Sequence, residues 1–219
     1  AGFEFERMRK RILRHLNQRS EMLSGISHDL RTPLTRIKLQ LALIKDEKIS
    51  HKLSEDVEEM EKMLNEYLQF TSSRSSEKTE FFDISKLLNH SIMKYENKNI
   101  DSNIEEKIFF NGRKSLISRC IDNLINNSLK YSGKILVNLK KIHKNLIITV
   151  DDDGPGIAES EYENVFKPFY KINKGRGDSK SSVGLGLSIS SDVVRSHGGS
   201  ITLDKSSLGG LRVKISLPF

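Results

Sequence analysis

Apolar residues between Leu23 and Ile44 fall at positions 23, 26, 30, 34, 37, 41 and 44, in steps of three and four. Leu53, Val57, Met60, Leu64, Tyr67 and Thr71 keep the same rhythm. A sustained repeat of this kind predicts helices that bury one narrow stripe against other helices. The short stretch DEKIS between the two runs predicts that they fold back as an antiparallel hairpin. A single hairpin leaves half of its stripe in water. Pairing two copies into a four-helix bundle covers it, so the pattern predicts a homodimer.

The rhythm stops at TSSRSSEKT (71–79), a small polar stretch that reads as a linker. Beyond it the pattern is mixed. FDISKLLNHSIMKY has helical spacing with Asp83 as N-cap, IEEKIFF reads as a strand, and residues 114–131 read as a helix. KILVNLKKI and LIITVDD alternate around HKN, and SITLD and LRVKISL flank KSSLGG, which predicts two β-hairpins. Antiparallel strands with helices that need a face to cover predict a two-layer α/β sandwich. The expected organisation is a helical lead-in over 1–14, a dimerisation domain over 15–72, a linker over 73–79 and an α/β domain over 80–219.

Composition narrows the class. No apolar run approaches the roughly 18 residues a membrane span needs, and the N-terminus AGFEFERMRKRILRHL is too charged to read as a signal peptide. Met8 is the first methionine, so the natural protein is expected to extend upstream. The one cysteine, Cys120, excludes an internal disulfide framework and reads as a small core residue. Net charge is +7, but residues 1–76 carry 14 Lys/Arg against 12 Asp/Glu and residues 77–219 carry 22 against 17. So even a spread argues against nucleic acid as a partner. The dense cluster of Arg7, Arg9, Lys10, Arg11 and Arg14 is either a solvated helix face or a patch for an anionic membrane surface.

Three stretches carry candidate phosphate and metal chemistry. On the helix at 114–131, Asn123, Asn127 and Lys130 fall within an arc of about 60° at the edge of the apolar side, at about 100° per residue. Carboxamide oxygens and an ammonium on one rim suit hydrated Mg²⁺ and phosphates; alone, that rim is also what a solvated helix edge looks like. VDDDGPGI (150–157) is a strand ending in acids followed by a turn whose Gly154 and Gly156 let backbone approach a ligand. By itself it is equally an ordinary turn. KGRGDSKSSVGLGLSISSDVVRSHGG (174–199) is a Gly- and Ser-rich loop entering a helix near Gly184–Gly186, where backbone N–H groups favour anions. Together the three point to a nucleoside triphosphate site.

SHDLRTPL, DNLINNSLKY, DDGPGI, VFKPFY and GLGLSI, in this order, resemble the H, N, G1, F and G2 boxes of sensor histidine kinases. SHDLRTPLTRIKL and GRGDS look most like the EnvZ-type osmosensor branch. The resemblance implies a dimeric helical-hairpin domain followed by the ATP-binding fold shared with gyrase B, Hsp90 and MutL. It implies autophosphorylation from Mg-ATP and transfer to an aspartate on a response regulator receiver domain of the OmpR-like kind. A place on the cytoplasmic side of the bacterial inner membrane, anchored by an upstream segment, is also implied.

Box by box, the resemblance implies His28 as phosphate acceptor and Asp29 as its base or orienting group. Thr32 resembles the residue that positions water when the regulator is dephosphorylated. Asn127 is the implied principal Mg²⁺ ligand, with Asn123 and Lys130 supporting metal and phosphates and Tyr131 near the nucleotide. Asp152 is the implied acceptor for the adenine amino group, with Gly154, Gly156 and Ile157 shaping the pocket. Phe166 and Phe169 are implied lid anchors, and Gly184, Leu185, Gly186 and Leu187 form the phosphate-side run. Ser182-Val183 departs from the usual Gly-Thr, and Ser128 stands where Ala is commonest, a change expected to be harmless.

Spacing also accounts for SHDLRTPL. His28 sits two residues from Ile26 and from Leu30, about 160–200° from the buried stripe, so it is expected on the outer surface, with Thr32 sharing its face. Its reference pKa of about 6.5 keeps much of the ring neutral and nucleophilic. Pro33 cannot donate to the Asp29 carbonyl, so a bend is expected just after the histidine. An ATP-driven clamp of the gyrase or MutL kind leaves His28 unexplained. A degenerate dimerisation module has no need of Asn127, Asp152 and Gly186.

Overall fold

The computed structural model describes residues 6–8, 30, 32–44, 49–51, 53–58, 60–61, 64, 77–95, 98–172 and 184–219. The chain divides into two compact units, Ala1–Glu77 and Lys78–Phe219.

In the first unit the described residues 32–41 and 53–58 are helical. Leu34, Leu41 and Val57 form a buried cluster with Leu64 packed against it. Lys38 pairs with Glu61 at 2.7 Å, and the Ser50 hydroxyl donates to the Leu41 carbonyl at 2.9 Å nearer the connection. Partners therefore close toward the turn, as an antiparallel hairpin requires. The other stripe positions among the described residues, Leu30, Ile37, Ile44, Leu53 and Met60, are exposed in the single chain. The residues around His28, and most of the expected linker, lie outside the described residues.

The second unit is built on the two predicted hairpins. Strand β4 (Ile135–Ile142) pairs antiparallel with β5 (Asn145–Asp152), and β6 (Ser200–Lys205) with β7 (Leu211–Pro218). Together with β2 (Ile100–Ile104), which runs parallel to β4, they make one sheet in the order β2-β4-β5-β7-β6. Ile135, Val137, Leu139, Leu146, Ile148, Val150, Val213, Ile215 and Leu217 are all buried on one face. Period-2 alternation selects that face. Helices α1 (Ile84–Met93), α2 (Lys114–Tyr131) and α3 (Gly186–Ser196) cover it with Leu88, Ile121, Leu124, Ile125 and Val194. Asp83 caps α1 as expected, its carboxylate accepting from the Lys86 N–H at 3.0 Å.

One expected element is corrected. IEEKIFF is not a single strand: β2 ends at Ile104 and β3 (Phe109–Gly112) begins a separate two-stranded sheet with β1 (Glu80–Asp83). Lys107 takes a left-handed conformation at φ 59° in the turn between them. The Ser85 hydroxyl bridges that turn, donating to the Glu105 carbonyl at 2.7 Å and accepting from the Ile108 N–H at 3.1 Å. Glu105-Glu106-Lys107 offers no apolar side chain to hold a strand. A hydroxyl from another element replaces the ladder.

Helix α2 starts without a side-chain cap of its own. The N–H of Arg113 donates instead to Nε2 of His197 at 3.0 Å, and the His197 Nδ1 lies 2.7 Å from the Val193 carbonyl. One neutral imidazole, protonated on Nδ1, satisfies both contacts and joins the start of α2 to the end of α3.

Two outcomes follow for the second unit. Asp83→Ala is expected to cost about 1 kcal/mol of stability, and Asp83→Asn much less, in urea unfolding followed by circular dichroism. Cys120 is 1% exposed and burial pushes its thiol up to about 12, so a thiol reagent at neutral pH is expected to label it only after unfolding.

Candidate nucleotide-binding site

Asp152 ends β5 on the helix-facing side and is 5% exposed. A buried carboxylate is stable only when its oxygens are satisfied. Oδ1 accepts from the N–H groups of Gly154 at 3.0 Å and Leu211 at 2.9 Å. Oδ2 accepts from the Ser128 hydroxyl at 3.2 Å. The Asp152 carbonyl also accepts from the Gly210 N–H at 3.0 Å. These bonds bring the last turns of α2, the turn after β5 and the β6–β7 turn to one point.

Glycine is required where those segments touch. A Cβ on Gly154 would lie 2.9 Å from the Tyr131 carbonyl. A Cβ on Gly210 would lie 2.5 Å from the Gly154 nitrogen and closer still to Asp152 Oδ1. Gly156, at φ 65°, turns the chain beside Gly210. Ile157 is half-buried just beyond.

The rim of α2 adjoins this point. Asn123, Asn127 and Lys130 are half-buried on the edge of the helix, with Ser128 between them on the buried side. Asn123 Nδ2 and Lys130 Nζ are buried without a hydrogen-bond partner, although the Lys130 ammonium sits 5.1 Å over the Tyr131 ring. Buried donors left unpaired cost free energy, and anionic oxygens would satisfy them. The carboxamide oxygens of Asn123 and Asn127 are of the type Mg²⁺ accepts. The donor set therefore fits Mg²⁺ with a phosphate chain. Tyr131 is exposed at the end of the helix.

The F and G2 boxes meet through a backbone hydrogen bond. Phe169, exposed and at φ 63°, donates its N–H to the Gly184 carbonyl at 3.0 Å. Gly184 has φ 79°, and a Cβ there would sit 2.9 Å from the Tyr170 carbonyl. Tyr170 donates to Glu161 at 2.5 Å, which raises its phenol above the ordinary range. Phe166 is half-buried. Leu185 is fully buried, so it can offer a ligand only backbone. Gly186 opens α3 with nothing within 4 Å of a Cβ, and Leu187 is half-buried after it.

Thr32 is exposed in the first unit. His28, Asp29, Ser182 and Val183 lie outside the described residues.

Sequence reasoning missed three contributors. Gly210 and Leu211 supply backbone N–H groups to Asp152, and the Gly-Gly pair at 209–210 was the available signal. Ser128 is the third, visible only as a polar residue on an apolar side. The acids flanking Asp152 have work too. Asp153 Oδ1 accepts from the Gly133 and Lys134 N–H groups at 2.9 Å. Those bonds, the Lys134 one foremost, hold its carboxyl below the usual range. Asp151, fully buried, binds Arg212 Nε at 2.7 Å.

Fold and site define an ATP-binding α/β sandwich preceded by a helical hairpin. Residues 112–219 match the family of histidine kinase-, DNA gyrase B- and HSP90-like ATPases. Residues 18–76 match the His Kinase A phospho-acceptor domain. The chain belongs to the sensor histidine kinases.

The sensor histidine kinase GtrS of Pseudomonas aeruginosa is 36% identical over 220 residues, covering 98% of this chain and 45% of the relative. CpxA of Escherichia coli is 31% identical over 234 residues, covering all of this chain and 51% of the relative. The chain spans about half the length of the curated relatives it matches. Among solved structures, full-length ShkA in complex with AMPPNP superposes with a TM-score of 0.70 at 20% identity, over 91% of this chain and 46% of that one. The mycobacterial sensor histidine kinase MprB gives 0.56 at 25% identity, over 64% and 97%.

Gly210→Ala is expected to overpack the Asp152 contact, costing about 1–3 kcal/mol of stability and weakening ATP binding by about tenfold or more in calorimetry. Gly133→Ala is the control. Its Cβ would meet nothing nearer than 3.8 Å, and binding should be unchanged.

Proposed function

We propose that this chain autophosphorylates His28 from Mg-ATP, passes the phosphoryl group to an aspartate on a response regulator, and removes it again. The observation that supports this most is the convergence on Asp152 of glycine turns and a helix rim whose Asn123 and Lys130 donors lack partners, in a chain that also carries a phospho-acceptor domain match.

In this reading Asp152 Oδ2 accepts from the adenine amino group, and Gly154, Gly156 and Ile157 line the base pocket. Lys130 and Asn123 bind phosphate oxygens. Asn127, with Asn123, would hold Mg²⁺, which neutralises charge on the phosphates when bound. The backbone at Gly184 and Gly186 approaches the phosphate chain, with Leu185 and Leu187 holding it to the core. Phe166 and Phe169 anchor the lid, and Tyr131 lies beside the nucleotide. A neutral imidazole nitrogen of His28 forms the bond to the γ-phosphorus while the bond to ADP breaks. Asp29 takes or orients the proton on the other ring nitrogen. Thr32 orients water for removal of phosphate from the regulator.

The exposed stripe of Leu30, Ile37, Ile44, Leu53 and Met60 supports a homodimer, since a second copy would cover it as a four-helix bundle. The regulator is proposed to be OmpR-like. The whole protein would act on the cytoplasmic side of the bacterial inner membrane through an upstream segment. Among the described residues no helix is long and apolar enough to cross a membrane.

Incubation with γ-labelled ATP and Mg²⁺ tests the reading. The label is expected on the protein, stable to alkali and lost in acid, as for a phosphoramidate. His28→Ala should abolish labelling while leaving ATP affinity within about twofold, since the acceptor is not among the residues proposed to hold the nucleotide. Label persisting on that variant would defeat the assignment. Pro33→Ala is expected to change the ratio of kinase to phosphatase activity if the bend at Pro33 switches between the two, and an unchanged ratio counts against such a switch.

A further inference from the structure

Ser128 is 2% exposed and lies in the last turn of α2. A serine buried in a helix ordinarily returns its hydroxyl to a carbonyl one turn back. Ser188, buried in α3, does this, donating to the Leu185 carbonyl at 2.8 Å. Ser128 does not. Its hydroxyl leaves the helix and donates to Asp152 Oδ2 on β5 at 3.2 Å.

An ionised carboxylate has about four acceptor positions, two on each oxygen. Both positions on Asp152 Oδ1 are taken by the N–H groups of Gly154 and Leu211. On Oδ2 the Ser128 hydroxyl takes one. A single acceptor position is left. The hydroxyl carries only one proton, so its donation to Asp152 leaves nothing but lone pairs on Oγ. Two adjacent oxygens then form an edge that accepts and cannot donate.

We infer that Ser128 is a specificity-determining residue that acts through Asp152, committing the one open lone pair of Oδ2 to a nucleobase amino group and turning the edge against a 6-oxo purine. The inference rests on Asp152 being the base-recognising carboxylate of the ATP site proposed above. Ser128 is a positioning residue here, since it works through another side chain. At 3.2 Å its bond is longer than the roughly 2.5–2.7 Å of a strong O–H···O⁻ bond. The effect therefore belongs at the modest end, about threefold to tenfold in affinity.

The test is calorimetric titration of the full chain with ATP and with purine riboside triphosphate, which has hydrogen in place of the 6-amino group. Ser128→Ala removes the hydroxyl, keeps the Cβ and suits a helix. The preference for ATP over the analogue is expected to fall about threefold to tenfold in Ser128→Ala. In an Asp152→Asn background the same substitution should leave the remaining preference unchanged, as a coupled pair requires. An unchanged preference in Ser128→Ala overturns the inference. So does equal weakening of both nucleotides together with a lower melting temperature, which marks a purely structural serine. Failure of the unsubstituted chain to bind ATP would overturn the ATP site itself.

Discussion

The buried carboxylate of Asp152 is the contact on which the second unit is arranged. Two backbone N–H groups on one oxygen and a serine hydroxyl on the other join three segments far apart in sequence. Charge-assisted hydrogen bonds are stronger than neutral ones, and they are stronger again away from water. A carboxylate this well bound tolerates little movement. Gly154 and Gly210 are glycines because the turns they occupy are drawn so tightly around it.

From that point the layers take on separate tasks. The sheet and three helices form a dry core in which Ile121, Leu124, Ile125, Val137, Ile148 and Val150 are buried. Polar chemistry is confined to its margin, at the end of β5 and along one edge of α2. A rigid core behind a polar rim keeps donors at fixed spacing. The F-box and G2-box residues are held differently. Phe169 is tied to Gly184 by a backbone hydrogen bond, and Tyr170 to Glu161 by its phenol. The helical hairpin follows a third logic, burying Leu34, Leu41 and Val57 within one chain and presenting the alternate stripe outward.

The acidic run at 151–153 shows how neighbouring identical residues diverge. Asp151 points to the far face of the sheet and pairs with Arg212. Asp152 points to the helices and serves the candidate site. Asp153 leaves the strand and binds the Gly133 and Lys134 N–H groups. Alternation along a strand sends adjacent side chains to opposite faces, so three equal charges meet three different environments.

Much of this was legible in the chain itself. Helix α2 begins and ends at the residues its spacing predicted, Lys114 and Tyr131, and both long hairpins form around the turns HKN and KSSLGG. Asp152 ends a strand and Asn123, Asn127 and Lys130 lie on one helix, as the sequence pattern predicted. Periodicity and turn chemistry are local properties, so a linear reading captures them. Other features depended on partners met only after folding. IEEKIFF broke into two strands because Ser85, twenty residues upstream, bonds its middle. His197 became the cap of a helix whose N-cap residue, Arg113, lies 84 residues earlier. Ser128 changed from an innocuous substitution into a ligand of Asp152, and Gly210 from a turn residue into a steric necessity. Local pattern sets which face of each element is buried, whereas hydrogen-bond partners and contact distances are settled by how those faces come together in three dimensions.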